Sequence, residues 1–114
     1  MELITRTPAP PALEELVKAL DSKLMKAFTD PARTQILKVL MLNGRADITT
    51  IAAQLPQDRS VISRHLNLMA EAGILVTEKE TRHRYYTINC AAFLHEFEEI
   101  VANLKECMAT CCPP

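Results

Sequence analysis

The fold is decided by residues 47–73, DITTIAAQLPQDRSVISRHLNLMAEAG. Asp47 can cap a short helix, which Pro56 would end. Asp58 can cap a longer helix, which Gly73 would close. Apolar residues recur at helical spacing in both segments. Two short helices joined across a tight turn form a helix-turn-helix, and we predict this motif at the centre of the chain.

The second helix of the motif has one apolar and one polar face. Its buried positions are expected to be Val61 or Ile62, His65 or Leu66, and Met69. We expect His65 to be packed and hydrogen-bonded rather than a metal ligand. The opposite face carries short polar and basic side chains near the helix N-terminus, as a helix that enters the major groove requires. The predicted DNA-contacting residues of this region are Gln57, Arg59, Ser60, Ser63 and Arg64.

Two helices are predicted before the motif. One amphipathic helix covers about 12–28, because its apolar residues recur at helical spacing. Asp30 and Pro31 are a start signal for the next helix, which Asn43-Gly44 should end. Residues 1–11 hold three prolines and little pattern, so we predict a flexible lead-in there.

A β-hairpin is predicted after the motif. Segments 74–77 and 85–88 are rich in β-branched and aromatic residues, and the polar link 78–84 is typical of a hairpin tip. A hairpin directly after a recognition helix is a wing. The predicted fold is therefore mainly α with a β-hairpin wing, a winged helix-turn-helix of about five helices and two strands over residues 12–112.

Charge is segregated along the chain although the net charge is −1. Such a balance argues against a protein that coats nucleic acid, but it permits a focused basic surface. Cations gather in the recognition helix and the hairpin, where Arg82 and Arg84 are predicted to contact the DNA backbone or minor groove. The alternative is that these arginines pair with Asp58, Glu78 and Glu80 on a solvated face.

The last helix, from about Ala91 to Cys111, carries a heptad-like apolar seam. The seam residues are Phe93, Phe97, Ile100, Leu104, Cys107 and Cys111. A single terminal helix with such a seam needs a partner helix, and the N-terminal helix offers a comparable stripe. We therefore predict a homodimer joined through the two ends of the chain.

This order of elements resembles the arsenical-resistance repressor (ArsR/SmtB) family over roughly residues 12–110. The resemblance lies in DPARTQILKVL at 30–40, SRHL at 63–66 with EAGIL at 71–75, and RHRYY at 82–86. It implies a cytoplasmic dimer that blocks transcription on a palindromic double-stranded operator and leaves it when a metal ion, metalloid or oxidant reaches a sensory site. The family's wing tip normally carries Gly, whereas Glu80-Thr81 stands there in this chain.

Two sensory sites of that family are missing from this sequence. Residues 45–55 contain no Cys or His, so the cysteine-rich box of the third helix is absent. The positions that match the hard-ion site of the terminal helix hold Cys90, Ala92, Asn103 and Glu106. This set cannot form a nitrogen and oxygen tetrahedron for Zn(II).

Three cysteines remain near the end of the chain. Cys107 and Cys111 are four apart on one helix face, and Pro113-Pro114 should fray the helix end so that Cys112 can join them. Three thiolates suit a soft, three-coordinate centre. We predict As(III) as the inducer, with Sb(III), Hg(II), Cd(II) and Cu(I) as competitors and no organic cofactor. The resemblance agrees, since some family members bind arsenic through cysteines of the terminal helix.

Other interpretations of the cysteines stay open. Cys107 and Cys111 continue the apolar seam and could be buried small residues. The thiols could sense oxidants through a disulfide or persulfide, or belong to a metal-buffering chaperone or a regulator without an inducer. Cys90 could be core or a ligand. An enzyme is not expected, because no Cys-x-x-Cys, Gly-rich phosphate loop or paired carboxylates accompany the thiols.

The expected location is the cytoplasm. The N-terminal segment lacks a basic stretch followed by an apolar run, and no apolar run approaches the length of a membrane span. We therefore expect no membrane partner, and we expect the thiols to be reduced.

Overall fold

The computed structural model describes residues 11–110, so part of the predicted lead-in and the last four residues lie outside it. Within these residues the chain forms six helices and a three-stranded antiparallel sheet. The elements are α1 (Pro11–Leu20), α2 (Lys23–Ala27), α3 (Pro31–Asn43), β1 (Ala46–Asp47), α4 (Ile48–Ala52), α5 (Arg59–Glu71), β2 (Leu75–Glu80), β3 (His83–Ile88) and α6 (Cys90–Thr110). The predicted winged helix-turn-helix is confirmed, with one helix and one strand more than expected.

The N-terminal helix is interrupted, so the prediction of one helix over 12–28 is wrong. After α1 ends at Leu20, the Ser22 N–H bonds to the Ala19 carbonyl oxygen at 3.1 Å. Ser22 then caps α2, because its Oγ accepts a hydrogen bond of 3.1 Å from the Met25 N–H. The apolar spacing continues across the break and conceals it in the sequence.

The start and end of α3 follow the predicted signals. The Asp30 carboxylate accepts hydrogen bonds from the N–H groups of Ala32 and Arg33, at 2.9 and 3.3 Å. Pro31 occupies the first helical position, where its missing N–H costs nothing. The helix ends at Asn43, and Gly44 follows with φ 78°, a left-handed conformation that glycine adopts without strain.

The hydrophobic core lies between α3, α5 and the sheet. The side chains of α5 that enter it are Ile62, Leu66 and Met69. Ile62 rather than Val61, and Leu66 rather than His65, is thus the buried residue. Ile36, Leu37 and Leu40 of α3 belong to the same buried cluster. With Trp absent and few aromatic residues, aliphatic side chains supply most of this core.

A short strand before α4 joins the wing, and no pattern in the sequence predicted this strand. Ala46 pairs with Tyr86, and Asp47 pairs with Tyr85, so the strand order is β1-β3-β2. Ala46 and Tyr86 are both buried. Two paired residues are too few to give an alternating sequence pattern, but they attach the hairpin to the start of the helix-turn-helix.

The hairpin is longer than predicted, so the assignment of 78–84 to its tip is wrong. The strands extend to Glu80 and resume at His83, leaving Thr81 and Arg82 as a two-residue turn. Thr81 has φ 54°, a conformation that is unfavourable for a β-branched residue.

Asn89 is the single residue between the wing and α6. Its N–H donates to the Ile74 carbonyl oxygen, and its side-chain Nδ2 donates to the Gly73 carbonyl oxygen, both at 2.9 Å. Its Oδ1 accepts from the Ala92 N–H at 3.2 Å, in the first turn of α6. Asn89 thus fastens the end of the recognition helix, the wing and the last helix at one point.

The helices α1 and α6 pack on each other beside the core. Ala12 and Cys107 are buried in this part of the chain, but much of the apolar surface of both helices is left exposed. The exposed apolar side chains of the two helices are Leu13, Val17, Leu20, Leu94, Phe97, Val101, Leu104 and Met108. Within residues 11–110, none of the helices has the length and apolar character that crossing a membrane requires.

Candidate DNA-contact surface and thiol site

The recognition helix α5 turns its basic residues outward. Burial of Ile62, Leu66 and Met69 fixes its rotation, because these residues follow the helical repeat along one face. The side chains of Arg59, Ser60 and Arg64 are exposed, and that of Ser63 is half-buried at the border of the two faces. Four of the five residues predicted for DNA contact in this region therefore lie on or beside the solvent face of one helix.

The turn before α5 behaves differently from the helix. Asp58 stands at the N-cap position with extended backbone, but its carboxylate accepts no capping hydrogen bond in the part of the chain described. Gln57 is half-buried, and its Oε1 is fully enclosed with no hydrogen-bond partner among the described residues. An enclosed acceptor of this kind costs about 1–3 kcal/mol. The side-chain oxygen of Gln57 is thus not open to DNA in this conformation.

His65 is hydrogen-bonded within the protein, as the sequence indicated. Arg33 of α3 donates from its Nε to the His65 Nδ1 at 3.3 Å. Because Nδ1 is the acceptor, the neutral imidazole carries its proton on Nε2 in this arrangement. The Arg33 Nε also lies 3.9 Å from the Asp30 Oδ2. Arg33 therefore connects Asp30, the cap of α3, to His65 of the recognition helix.

The two faces of the wing carry opposite charge. In the register of β2 with β3, Lys79 lies directly across from Arg84, on the face that also carries the buried Tyr86. This is the α5 face of the hairpin, because Arg84 lines one groove with Asn67 and Glu71 of α5. Lys79 was not among the predicted contact residues, although strand alternation could have placed it beside Arg84.

The other face of the wing, here called the outer face, carries Glu78, Glu80, His83 and Tyr85. Arg45, which directly precedes β1, contacts three of these side chains. Its Nε lies 3.2 Å from the Glu78 Oε1, its Nη2 hydrogen-bonds to Glu80, and its guanidinium carbon lies 3.9 Å from the centre of the Tyr85 ring. Two of the carboxylates considered as partners of the wing arginines are therefore paired with Arg45.

Asp47 joins the wing to the helix-turn-helix electrostatically. Its Oδ1 accepts a hydrogen bond of 2.9 Å from the Thr50 N–H in the first turn of α4, as predicted for a cap. Its Oδ2 lies 3.4 Å from the His83 Nδ1. Hydrogen bonds from Thr50 hold the pKa of the Asp47 carboxyl below its ordinary value, and the charge of His83 contributes a smaller effect in the same direction.

One of the three predicted ligand cysteines lies within the described residues. Cys107 is 5% exposed on α6, whereas Cys111 and Cys112 lie outside the described chain. Cys90 is exposed at the other end of α6, about 25 Å away at 1.5 Å per residue, so it cannot share a site with Cys107 within one chain. Among the described residues, no group of three or more His, Cys, Asp or Glu could hold a metal ion.

Known proteins resemble this chain in sequence. The family described as "Bacterial regulatory protein, arsR family" matches residues 30–77. An uncharacterized HTH-type transcriptional regulator of Methanocaldococcus jannaschii is 38% identical over 76 residues, covering 67% of this chain and 83% of the relative. A CadC homolog of Staphylococcus aureus, a cadmium resistance transcriptional regulatory protein, is 31% identical over 85 residues, covering 68% and 70%.

A solved structure agrees with these relatives. The crystal structure of a possible transcriptional regulator for arsenical resistance superimposes with a TM-score of 0.57 at 26% identity, covering 75% of this chain and 83% of that one. The family match spans α3, α4, α5 and the start of the wing, the part of the fold that carries the exposed recognition helix. The chain therefore belongs to the arsR family of DNA-binding transcriptional regulators.

Proposed function

We propose that this regulator is a dimeric repressor, acting in the cytoplasm, that occupies a palindromic operator and leaves it when As(III) binds Cys107, Cys111 and Cys112. The observation that carries the DNA-binding part is that two sets of exposed cations adjoin the recognition helix. Arg59 and Arg64 are exposed on α5, and the wing turns Lys79 and Arg84 toward the same helix. Cations such as these bind DNA phosphates independently of sequence, and the side chains of a helix in the groove read the base edges.

Each predicted contact residue has a distinct part in this proposal. Arg59, at the first position of α5, can offer its forked guanidinium to the O6 and N7 edge of guanine. Ser60, Ser63 and Arg64 serve phosphates or neighbouring base edges, and Gln57 would have to turn outward to contribute. Arg82, at the exposed turn, and Arg84 reach the backbone or minor groove. The comparisons support operator DNA as the partner, since the relatives are transcriptional regulators.

Dimer formation is supported by the apolar surface that α1 and α6 leave open. Val17, Leu94 and Val101 are 55%, 60% and 48% exposed, far more than the core residues. A contiguous apolar stripe on two packed helices is typical of a protein interface. A second copy, related by a two-fold axis, would cover it and set the two recognition helices about 34 Å apart, one turn of DNA.

The proposed inducer follows from the chemistry of the thiols. As(III) in water is As(OH)₃, and three thiols replace its hydroxyls, forming three As–S bonds and releasing three waters without a change of oxidation state. Cys107 and Cys111, one helical turn apart, and the adjacent Cys112 supply that number of sulfurs. Two relatives are named for arsenical and cadmium resistance, which supports a thiophilic inducer.

Burial of Cys107 links the inducer to the dimer. Its side chain is 5% exposed on α6, the helix that packs with α1, so As(III) reaches it only if the structure opens around this part of α6. The same two helices form the proposed dimer surface. A coupling of about 1–3 kcal/mol through that surface corresponds to a loss of DNA affinity of about 5- to 150-fold.

Fluorescence anisotropy on a duplex from the protein's own promoter tests the proposal. We expect the reduced protein to bind the duplex and As(III) to release it. A protein that binds the thiophilic ion but no DNA would be a metal-buffering chaperone. Release by an oxidant but not by As(III) would indicate a redox sensor, and insensitivity to both would indicate a regulator without an inducer.

Cysteine variants identify the site of the inducer. Cys107→Ser, Cys111→Ser and Cys112→Ser are each expected to bind DNA as the unsubstituted protein does and to resist release by As(III). Cys90→Ser is the matched control, because Cys90 lies at the opposite end of α6. Normal release in all three variants would refute the thiol site, and loss of DNA affinity in the reduced variants would show that the cysteines only pack.

A further inference from the structure

The wing of this protein carries two carboxylates that oppose DNA binding. Its strands and turn hold three cations, Lys79, Arg82 and Arg84, against two carboxylates, Glu78 and Glu80. The register puts both carboxylates on the outer face and the cross-strand pair of Lys79 and Arg84 on the α5 face. All five side chains are exposed, and the hairpin is only two strands wide here, so uncompensated carboxylates would repel nearby phosphates.

Arg45 is held where its positive charge partly compensates these carboxylates. It stands between Gly44, which turns the chain with φ 78°, and Ala46, which is buried and paired with Tyr86. Its backbone is therefore fixed on both sides. The guanidinium bonds to both glutamates and lies over the Tyr85 ring, three contacts that hold one side chain in one orientation.

We infer that Arg45 is a positioning residue for DNA binding, which offsets one of the two carboxylate charges on the outer face of the wing and orients the basic face toward the duplex. The inference rests on the proposed DNA binding and is independent of the dimer and of As(III). Arg45 lies on the outer face, opposite the side of the hairpin that faces α5. It acts through Glu78 and Glu80, without a base contact of its own.

Two properties follow from this role. Arg45→Ala is expected to weaken binding to operator and to unrelated duplex DNA alike, by about 5- to 20-fold at low salt, because the lost contribution is electrostatic. The loss should disappear when the carboxylates are neutralised in the same chain. In Arg45→Ala with Glu78→Gln and Glu80→Gln, we expect affinity to return to within about twofold of the unsubstituted protein, since no repulsion is left to compensate.

The experiment is a double-mutant cycle read by anisotropy on a promoter duplex and on an unrelated duplex, with thermal unfolding of every variant. The two glutamine substitutions are made together, once in the unsubstituted chain and once in the Arg45→Ala variant. Lys18→Ala is the matched control, because it also removes one ion pair, to Glu15 on α1, at a site away from the wing. It should leave affinity unchanged.

The outcomes separate this inference from the proposed function. A larger gain in affinity from the two glutamine substitutions when Arg45 is absent than when it is present supports the positioning role. An equal gain in both backgrounds, or no loss in Arg45→Ala, would overturn it and leave the repressor proposal intact. Failure of the unsubstituted protein to bind any duplex would refute the proposed function itself, and with it the role of Arg45.

Discussion

Val101 offers the sharpest test of the proposed dimer. It lies on α6 beside Phe97, Glu98, Ala102 and Lys105, a patch formed by α6 alone, and 48% of its side chain is exposed. Full burial of an aliphatic side chain contributes about 1.5–3 kcal/mol, so covering the open half contributes about 1 kcal/mol per chain. A two-fold interface contains the residue twice. Val101→Ser should therefore cost about 2 kcal/mol, or about 30-fold in the dimer dissociation constant.

Sedimentation equilibrium of the reduced protein over a range of concentrations measures this constant. Leu42→Ser is the matched control, because Leu42 is 87% exposed at the end of α3, outside the stripe of α1 and α6. We expect the control to leave the dissociation constant unchanged. An unchanged constant in Val101→Ser, equal effects of the two substitutions, or an unsubstituted protein that stays monomeric at high concentration would refute the reasoning.

Three further predictions concern the recognition helix and the wing turn, a strained threonine, and the cap of α4. Arg59→Ala should relax base preference at one position of each half-site by about 1–3 kcal/mol, whereas Arg82→Ala should weaken binding to all duplexes alike. Competition with single-base operator variants measures both effects, and the reverse pattern would exchange the roles of the two arginines. Thr81→Gly should raise stability by about 0.5–1 kcal/mol, because it relieves a left-handed conformation at some cost in chain entropy; a lower midpoint of thermal unfolding would contradict this. Asp47→Ala should lower the free energy of unfolding by about 1 kcal/mol at neutral pH. Because the folded-state pKa of Asp47 is depressed, this stabilisation is complete well above the ordinary pKa of about 3.9 and disappears as pH falls below that value. The free energies of urea unfolding of the unsubstituted protein and of Asp47→Ala should therefore converge in acid. A difference that stays constant with pH would exclude the capping role.

The centre of the fold was predictable because its signals are local. Asp30, Pro31 and Gly44 mark the ends of α3 within a few residues of where they act, and the structure shows each in that role. The rotation of α5 followed from helical spacing, with Ile62 and Leu66 chosen over their neighbours by packing against α3. Local capping and a regular apolar repeat leave few alternatives for such segments.

The wing was less predictable because its charges are arranged by pairing between distant segments. Glu78 to Arg84 is polar throughout, so nothing in the sequence distinguishes paired strand from turn, and the predicted tip is too wide. Arg45 meets Glu78 only after the chain has formed α4 and α5 between them. The predicted thiol site rests on spacing alone, and its two last cysteines lie outside the described residues.

The join at Asn89 bears on how a signal at one end of α6 could reach DNA. A connection of one residue, held by three hydrogen bonds, has too little freedom to absorb a rotation of the helix that follows it. We expect a tilt of α6 to turn β3, and the strand paired with it, by a similar angle. A movement at the cysteine end of α6 would then reach the wing through the rigid helix, without a chain of side-chain rearrangements through the core.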